Sequence, residues 1–285
     1  MKYLKNNFAN CLALLALLSL IFKAFIAQSL TINENLITRA LTSYTISYLA
    51  FKISYMETKK VGLIFLPLIF YSLVTALIIR GGFGLEIPRD MAQIITNLYK
   101  ILVMIGVFFV IELIFNRIFG SLATSVLGVI SLFIFLILNF SKRLVILETF
   151  EDFFLYFSFY IMAIRVRSAS SLNPFLLVLG LSLVAGEIYL SEKYIKINYG
   201  FLLSIYPLSY LALKTVSHES AFKLIDHLIF ALIYTYPALF VIIKTGFDIE
   251  NVAVSIISIL ASYILGESVY KIKNKYLSYL FLGIN

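Results

Sequence analysis

Hydrophobic residues occur along this chain in long blocks, and short polar or charged stretches separate one block from the next. A helix needs about 20 apolar residues to cross the hydrocarbon layer of a bilayer. The pattern therefore predicts an all-α protein, a polytopic transmembrane helix bundle of about ten spans that forms a single integral membrane domain over residues 1–285. Eight to ten spans fit the pattern, because the second and eighth blocks are the most polar or the shortest. The predicted spans are 8–28, 36–56, 61–80, 92–116, 118–140, 144–166, 172–191, 199–216, 221–244 and 251–270.

The composition of the chain excludes a water-soluble domain. Hydrophobic residues make up 61% of the 285 residues and charged residues 13%, with a mean hydropathy of +0.99. Apolar blocks of this length exceed what a soluble core of this size can hide. Residues 1–28 resemble a secretory signal, with Lys2 and Lys5 before an apolar run, but the run is longer than a signal requires and more spans follow. We expect this segment to remain as the first helix.

The distribution of lysine and arginine predicts the orientation in the membrane. With ten spans, the cations divide unequally between the two sets of span ends, and the richer side is expected to be cytoplasmic. The richer set is Lys2, Lys5, Lys52, Lys59, Lys60, Arg117, Arg165, Arg167, Lys214, Lys223, Lys271, Lys273 and Lys275, and the poorer set is Arg39, Arg80, Arg89, Lys142, Arg143, Lys193, Lys196 and Lys244. Both termini are thus predicted to be cytoplasmic, in the inner or cytoplasmic membrane of a bacterial-type cell. The formal charge of +8 belongs to this pattern, so no nucleic-acid partner is expected.

Few residues of the kinds that carry catalysis or bind metals are present. The one cysteine, Cys11, lies inside the first apolar block. The two histidines, His218 and His227, lack the spacing of a zinc motif. The sequence therefore predicts no catalytic residue, no metal site and no cofactor.

Three acidic residues near the start of the sixth block are the strongest candidate for a site. Glu148, Glu151 and Asp152 stand at positions i, i+3 and i+4, so a helix places them on one face as an acidic patch. One interpretation is a charge cluster at the membrane surface that Lys142 and Arg143 neutralise. The other is a site that binds a cation or carries a proton, because three crowded carboxyl groups do not all ionise readily.

Three further residues are predicted to belong with the acidic patch. Lys100 lies about eight residues inside span four, where an ion pair with the patch would satisfy both charges. The alternative for Lys100 is a side chain that extends to the membrane surface by itself. Arg39 and Glu187 fall toward the same outer side, where they are expected to line a polar vestibule together with Arg89.

Two functions from different classes fit these features. The first is a transporter of a small solute or of a lipid-linked precursor, with coupling to a cation or proton at the acidic patch. The second is an integral membrane enzyme that transfers or polymerises acyl or glycosyl groups on a lipid carrier, using Arg39, Arg89, Lys100 and Glu151. A sensor or assembly subunit that needs a partner is a third. The expected partners are the lipid bilayer and a small-molecule or lipid-linked substrate, and the sequence sets no oligomeric state.

Overall fold

The computed structural model is almost entirely helical over the residues that it describes, which are 2–26, 34–56, 58–80, 89–140, 148–168, 199–214, 224–247, 249–272 and 274–284. The helices are α1 (Lys2–Ile26), α2 (Glu34–Ile53), α3 (Thr58–Val61), a 3-10 turn (Gly62–Ile64), α4 (Phe65–Arg80), α5 (Arg89–Phe140), α6 (Glu148–Ser168), α7 (Tyr199–Lys214), α8 (Leu224–Gly246), α9 (Asn251–Ile272) and α10 (Lys275–Leu282). The prediction of an all-α protein is confirmed for these ranges. Predicted span seven, 172–191, lies outside them.

Three stretches of the described chain are long and apolar enough to cross a membrane, namely Leu98–Leu138, Leu224–Lys244 and Asn251–Ile272. Two other apolar stretches, Ala9–Phe22 and Gly62–Ile78, are shorter. Helices α2 and α6 are 20 and 21 residues long, which is enough to cross a bilayer, but they carry several charged side chains. The coarse prediction of membrane-crossing helices is thus supported by these three stretches, the first of which covers predicted spans four and five.

The long helix α5 is interrupted at Gly120, where φ is 80° and ψ is 176°. A positive φ of this size suits glycine, which has no Cβ to collide with the backbone. The apolar stretch that contains Gly120 has 41 residues. At 1.5 Å per residue it would extend about 60 Å, twice the hydrocarbon thickness. The sequence places a boundary between two spans at Arg117, three residues before the observed break.

Contacts with α6 show that the two halves of α5 run in opposite directions. The pairs that lie against each other are Phe108 with Phe157, Ser121 with Arg165, and Gly128 with Ile161. Before the break, residue numbers rise together on α5 and α6. After the break, they rise on α5 while they fall on α6. The chain therefore reverses at Gly120, and α5 is a helical hairpin.

The helices form two compact units. Unit 1 comprises Met1–Leu20, Leu30–Ser54 and Met104–Glu219, and unit 2 comprises Ile21–Ser29, Tyr55–Val103 and Ser220–Asn285. The prediction of one integral membrane domain stays a prediction.

In unit 1, helices α2, α6 and α7 run in the same direction. The contacts that define this direction are Arg39 with Asp152, Ser47 with Phe159, Phe159 with Tyr206, and Val166 with Lys214. Small side chains on α2 allow the close approach to α6, and the Ser47 hydroxyl reaches the Phe159 carbonyl oxygen at 3.5 Å.

In unit 2, α8 and α9 are antiparallel and meet through small and polar side chains. The Thr235 hydroxyl donates to Ser262 Oγ at 2.7 Å, and a Cβ on Gly266 would lie 3.0 Å from the Ala231 Cβ. The buried side of α9 consists of Val254, Ser255, Ser258, Ser262, Gly266 and Val269. Its exposed side carries large apolar residues such as Leu260 and Ile264. Small polar residues inside and large apolar residues outside are typical of a helix that faces lipid.

Candidate functional site

Arg39 of α2 and two carboxylates of α6 form an ionic cluster inside unit 1. The Arg39 Nε donates to Asp152 Oδ1 at 2.7 Å, and an Arg39 terminal nitrogen lies 3.4 Å from Glu151 Oε2. The side chains of Arg39 and Asp152 are each 21% exposed and that of Glu151 is 10% exposed. We call Arg39, Glu151 and Asp152 the ionic cluster. The formal charges of its three members sum to −1.

A polar contact continues this pairing one turn further along both helices. The hydroxyl groups of Thr42, three residues after Arg39, and of Tyr156, four residues after Asp152, face each other. Tyr156 is buried. Because the spacing on each helix is close to one turn, Arg39 and Thr42 lie on one face of α2 and Asp152 and Tyr156 on one face of α6. The register between the two helices is therefore fixed by two successive polar contacts.

The position of the two carboxylates on α6 has a local cause. Glu148 is the first residue of α6, so Glu151 and Asp152 lie within about 6 Å of the helix start. The N-terminal end of a helix carries partial positive charge, which stabilises negative side chains. The helix start and Arg39 thus both place positive charge beside the two carboxylates.

The structure brings together some of the residues that the sequence grouped and not others. Arg39, Glu151 and Asp152 meet as described. The side chain of Glu148 and the whole of Glu187 lie outside the described residues, as do Lys142 and Arg143 and the side chain of Arg89. Lys100 is half-buried and belongs to unit 2, so its pairing with the acidic patch stays a prediction.

A cavity of about 420 Å³ lies among helices α1, α2 and α7 of unit 1. The described part of its lining is almost entirely apolar, with Tyr44 and Ser209 as the only polar side chains among those described residues. The lining residues are Leu12, Ala16, Ala40, Leu41, Tyr44, Ile205, Leu208, Ser209, Leu211 and Ala212. The Tyr44 hydroxyl donates to the Ala9 carbonyl oxygen at 3.0 Å. Pockets of about 300–1,000 Å³ are typical of small-ligand sites.

The cavity and the ionic cluster lie on different faces of α2. None of the three cluster residues lines the cavity. At about 100° per residue, the centre of the face formed by Ala40, Leu41 and Tyr44 is about 150° from Arg39. The cavity of unit 1 is therefore apolar and separate from the ionic cluster. The polar vestibule of Arg39, Arg89 and Glu187 stays a prediction, because Glu187 and the side chain of Arg89 lie outside the described residues.

Two features of this region were not predicted from the sequence. Thr42 and Tyr156 follow the cluster residues at helical spacing, so a search for polar residues one turn away would have found them. Ser209 follows Pro207, which lies inside α7 and removes one backbone donor from that helix. The cavity itself depends on how α1, α2 and α7 pack, and no local pattern reveals it.

Among the residues that the structure describes, no group of three or more His, Cys, Asp or Glu side chains is arranged to hold a metal ion.

Comparison of the chain with protein-family models, with curated proteins and with solved structures finds no match.

Proposed function

We propose that this chain is a multi-pass protein of the cytoplasmic membrane, with about ten spans and both termini in the cytoplasm, that transports a small solute or a lipid-linked precursor. The observation that carries the proposal is the ionic cluster between two helices of bilayer length. Charged side chains inside membrane helices are costly, and where they occur they commonly mark substrate pathways or proton relays.

The directions of the packed helices support the multi-pass arrangement. In an alternating ten-span chain, even-numbered spans run one way and odd-numbered spans the other. Helices α2, α6 and α7 correspond to predicted spans two, six and eight, and they run in the same direction. The two halves of α5 correspond to spans four and five, and they run in opposite directions, as alternation requires.

The ionic cluster has the properties that coupling needs. Arg39 is shared between two carboxylates at unequal distances, 2.7 Å to Asp152 and 3.4 Å to Glu151. Protonation or ion binding at one carboxylate would change how Arg39 is held by the other. Because Arg39 belongs to α2 and both acids belong to α6, such a change would act on the contact between two helices.

Transport by the purified full-length chain in proteoliposomes tests this proposal. The lipid probe is a fluorescently labelled polyprenyl diphosphate whose translocation is followed by dithionite quenching, and the solute probes are a panel of radiolabelled sugars and organic anions. Each probe is measured with and without an imposed proton gradient. The variants are Asp152→Asn and Glu151→Gln, and the matched control is Glu267→Gln, which removes a carboxylate from a more exposed ion pair with Lys271.

We expect wild-type protein to move at least one probe, and we expect the two cluster variants to lose the gradient-dependent part of the rate at least ten-fold. The control should keep the full rate. An unchanged rate in both cluster variants, or no movement of any probe by the wild type, would contradict the proposal. Chemical conversion of the lipid probe, detected by chromatography, would instead support the lipid-carrier enzyme.

A further inference from the structure

We propose that the cavity of unit 1 binds the hydrocarbon chain of an amphipathic lipid, and that the Ser209 hydroxyl donates a hydrogen bond to an oxygen atom of that lipid. The inference deepens the proposed function, on which it rests, because it selects the lipid-linked precursor over the small polar solute. Its test is a binding measurement and does not require transport.

The lining of the cavity sets the chemistry of the occupant. Of the ten described residues that line it, eight are alanine, leucine or isoleucine. Water in a protein cavity needs two to four polar partners, and apolar cavities remain dry and take up apolar molecules. A sugar or an ion would lose its hydration here and gain almost no hydrogen bonds in return. A hydrocarbon chain has no hydrogen bonds or ionic hydration to lose on entry, and it gains dispersion contacts with the walls.

Ser209 supplies a polar group at the wall of the cavity. The residue is 1% exposed, and its Oγ has no hydrogen-bond partner among the described residues. Buried hydroxyl groups in helices normally donate to the carbonyl oxygen one turn earlier. In unit 1, Thr45 donates in this way to Leu41 at 2.8 Å and Ser131 to Leu127 at 2.8 Å. Ser209 makes no such bond among the described residues, so its donor is unused, and rotation of the side chain about χ1 would direct the hydroxyl at a ligand in the cavity.

The other polar group of the described lining, the Tyr44 hydroxyl, already donates a hydrogen bond within the protein. The Tyr44 hydroxyl donates to the Ala9 carbonyl oxygen, which holds the ring against α1. Among the described residues of the wall, Ser209 therefore offers the available donor, and one donor suits a ligand with one oxygen near an otherwise apolar chain. A fatty-acyl ester or carboxylate and an isoprenoid alcohol or phosphate share this chemistry.

Binding of cis-parinaric acid, a fluorescent fatty acid, to the detergent-solubilised full-length chain tests the inference. Displacement by a saturated fatty acid and by a polyprenyl phosphate, in separate arms, identifies which kind of chain is preferred. Ala16→Leu and Ala212→Leu fill the cavity, and Ser209→Ala removes the hydroxyl. Controls are Ala76→Leu, at an exposed position of α4, and Ser131→Ala, at a buried serine whose hydroxyl has a partner.

We expect Ala16→Leu and Ala212→Leu to weaken binding at least ten-fold, and Ser209→Ala to weaken it about five-fold, the loss of one hydrogen bond. The controls should bind as the wild type does. Equal binding by all variants, or equal loss in Ala76→Leu, would overturn the inference. Loss in the two leucine variants with none in Ser209→Ala would overturn the assignment of the hydroxyl.

Photocrosslinking keeps the inference testable if a cavity variant fails to fold. A photoactivatable fatty acid bound to the wild-type chain should label peptides that contain residues 40–44 and 205–212, and labelling confined to the exposed faces of α5 and α9 would overturn the inference. Because binding depends on Ser209 and the alanines, and transport is tested at Asp152 and Glu151, failure of one proposal is distinguishable from failure of the other.

Discussion

Replacing the charges of the ionic cluster in a double-mutant cycle should show that Arg39 and Asp152 stabilise the fold together. The cycle uses Arg39→Gln, Asp152→Asn and the double variant, and it measures the free energy of unfolding in detergent. A buried ion pair that loses one partner costs about 3–5 kcal/mol. An exposed pair is worth less than about 1 kcal/mol. Since both side chains of this pair are 21% exposed, we expect a coupling energy of about 2 kcal/mol.

The geometry also predicts an asymmetry between the two single variants. Asp152→Asn leaves Glu151 within 3.4 Å of Arg39, so the guanidinium keeps a carboxylate partner. Arg39→Gln removes the guanidinium from both carboxylates, so two ionic contacts are lost where Asp152→Asn loses one. The arginine variant should therefore be the less stable of the two by about 1 kcal/mol or more.

The pair formed by Lys271 and Glu267 is the control for this cycle. Its nitrogen and oxygen are also 2.7 Å apart, but its side chains are 71% and 30% exposed and belong to the same helix. The same cycle at this pair should give no measurable coupling, because solvent screens an exposed pair. Equal coupling at the two pairs would refute the reasoning that burial, and not distance, sets the strength of the cluster. A more stable Arg39→Gln than Asp152→Asn would refute the predicted asymmetry.

Three other outcomes follow from contacts elsewhere in the structure. Gly128→Ala places a Cβ 2.7 Å from Ile161 Cγ2 and should lower the free energy of unfolding by about 1–3 kcal/mol, whereas Gly62→Ala, with nothing within 4 Å of its Cβ, should cost nothing comparable in thermal unfolding. Tyr234→Phe leaves the buried Ile64 carbonyl oxygen without its 2.7 Å donor and should cost about 1–3 kcal/mol, while Tyr263→Phe at an exposed ring should leave the melting temperature unchanged. In a Cys11→Ser background, cysteines introduced at Leu122 and Ser168 should react with an impermeant maleimide from the same side of the membrane, the cytoplasmic one, since Arg165 holds the turn of the α5 hairpin to the end of α6. Labelling of these two positions from opposite sides would contradict the hairpin.

The helices were predictable from the sequence because each apolar block is a long, continuous run of neighbouring residues. The break in α5 was predictable only in part. A charged residue, Arg117, suggested a boundary at about the right place. The reversal itself occurs at Gly120. The backbone there has a positive φ, which glycine adopts and most other residues do not. Charge indicates where a span ends, whereas backbone conformation decides where the chain turns.

The ionic cluster shows what helical spacing reveals and what it does not. Spacing placed Glu151 and Asp152 on one face, and alternation of spans placed Arg39 on the same side of the membrane. Arg39 is 112 positions from Glu151 and 113 from Asp152 in the sequence. Its contact with them depends on the packing of α2 against α6, which no local pattern encodes. The cavity is harder to predict than the ionic cluster, because its shape depends on the packing of three helices and on the small volume of Ala16, Ala40 and Ala212.

Helix α2 carries both features on which the proposals rest, and this gives a test of whether they work together. One of its faces holds Arg39 against α6, and another lines the cavity through Ala40, Leu41 and Tyr44. If a ligand in the cavity shifts α2 relative to α6, it changes the geometry of the ionic cluster. Linkage is reciprocal, so a change in the cluster must then alter ligand affinity by the same factor.

Asp152 does not line the cavity. We nevertheless expect Asp152→Asn to change the affinity for cis-parinaric acid by about five-fold or more, which is the lower end of typical coupling between two sites. Glu267→Gln should not change this affinity. Unchanged binding in Asp152→Asn, with normal binding by the wild type, would show that the cluster only joins α2 to α6. Coupling would then have to lie elsewhere in the chain, because two sites that do not influence each other's occupancy cannot drive transport together.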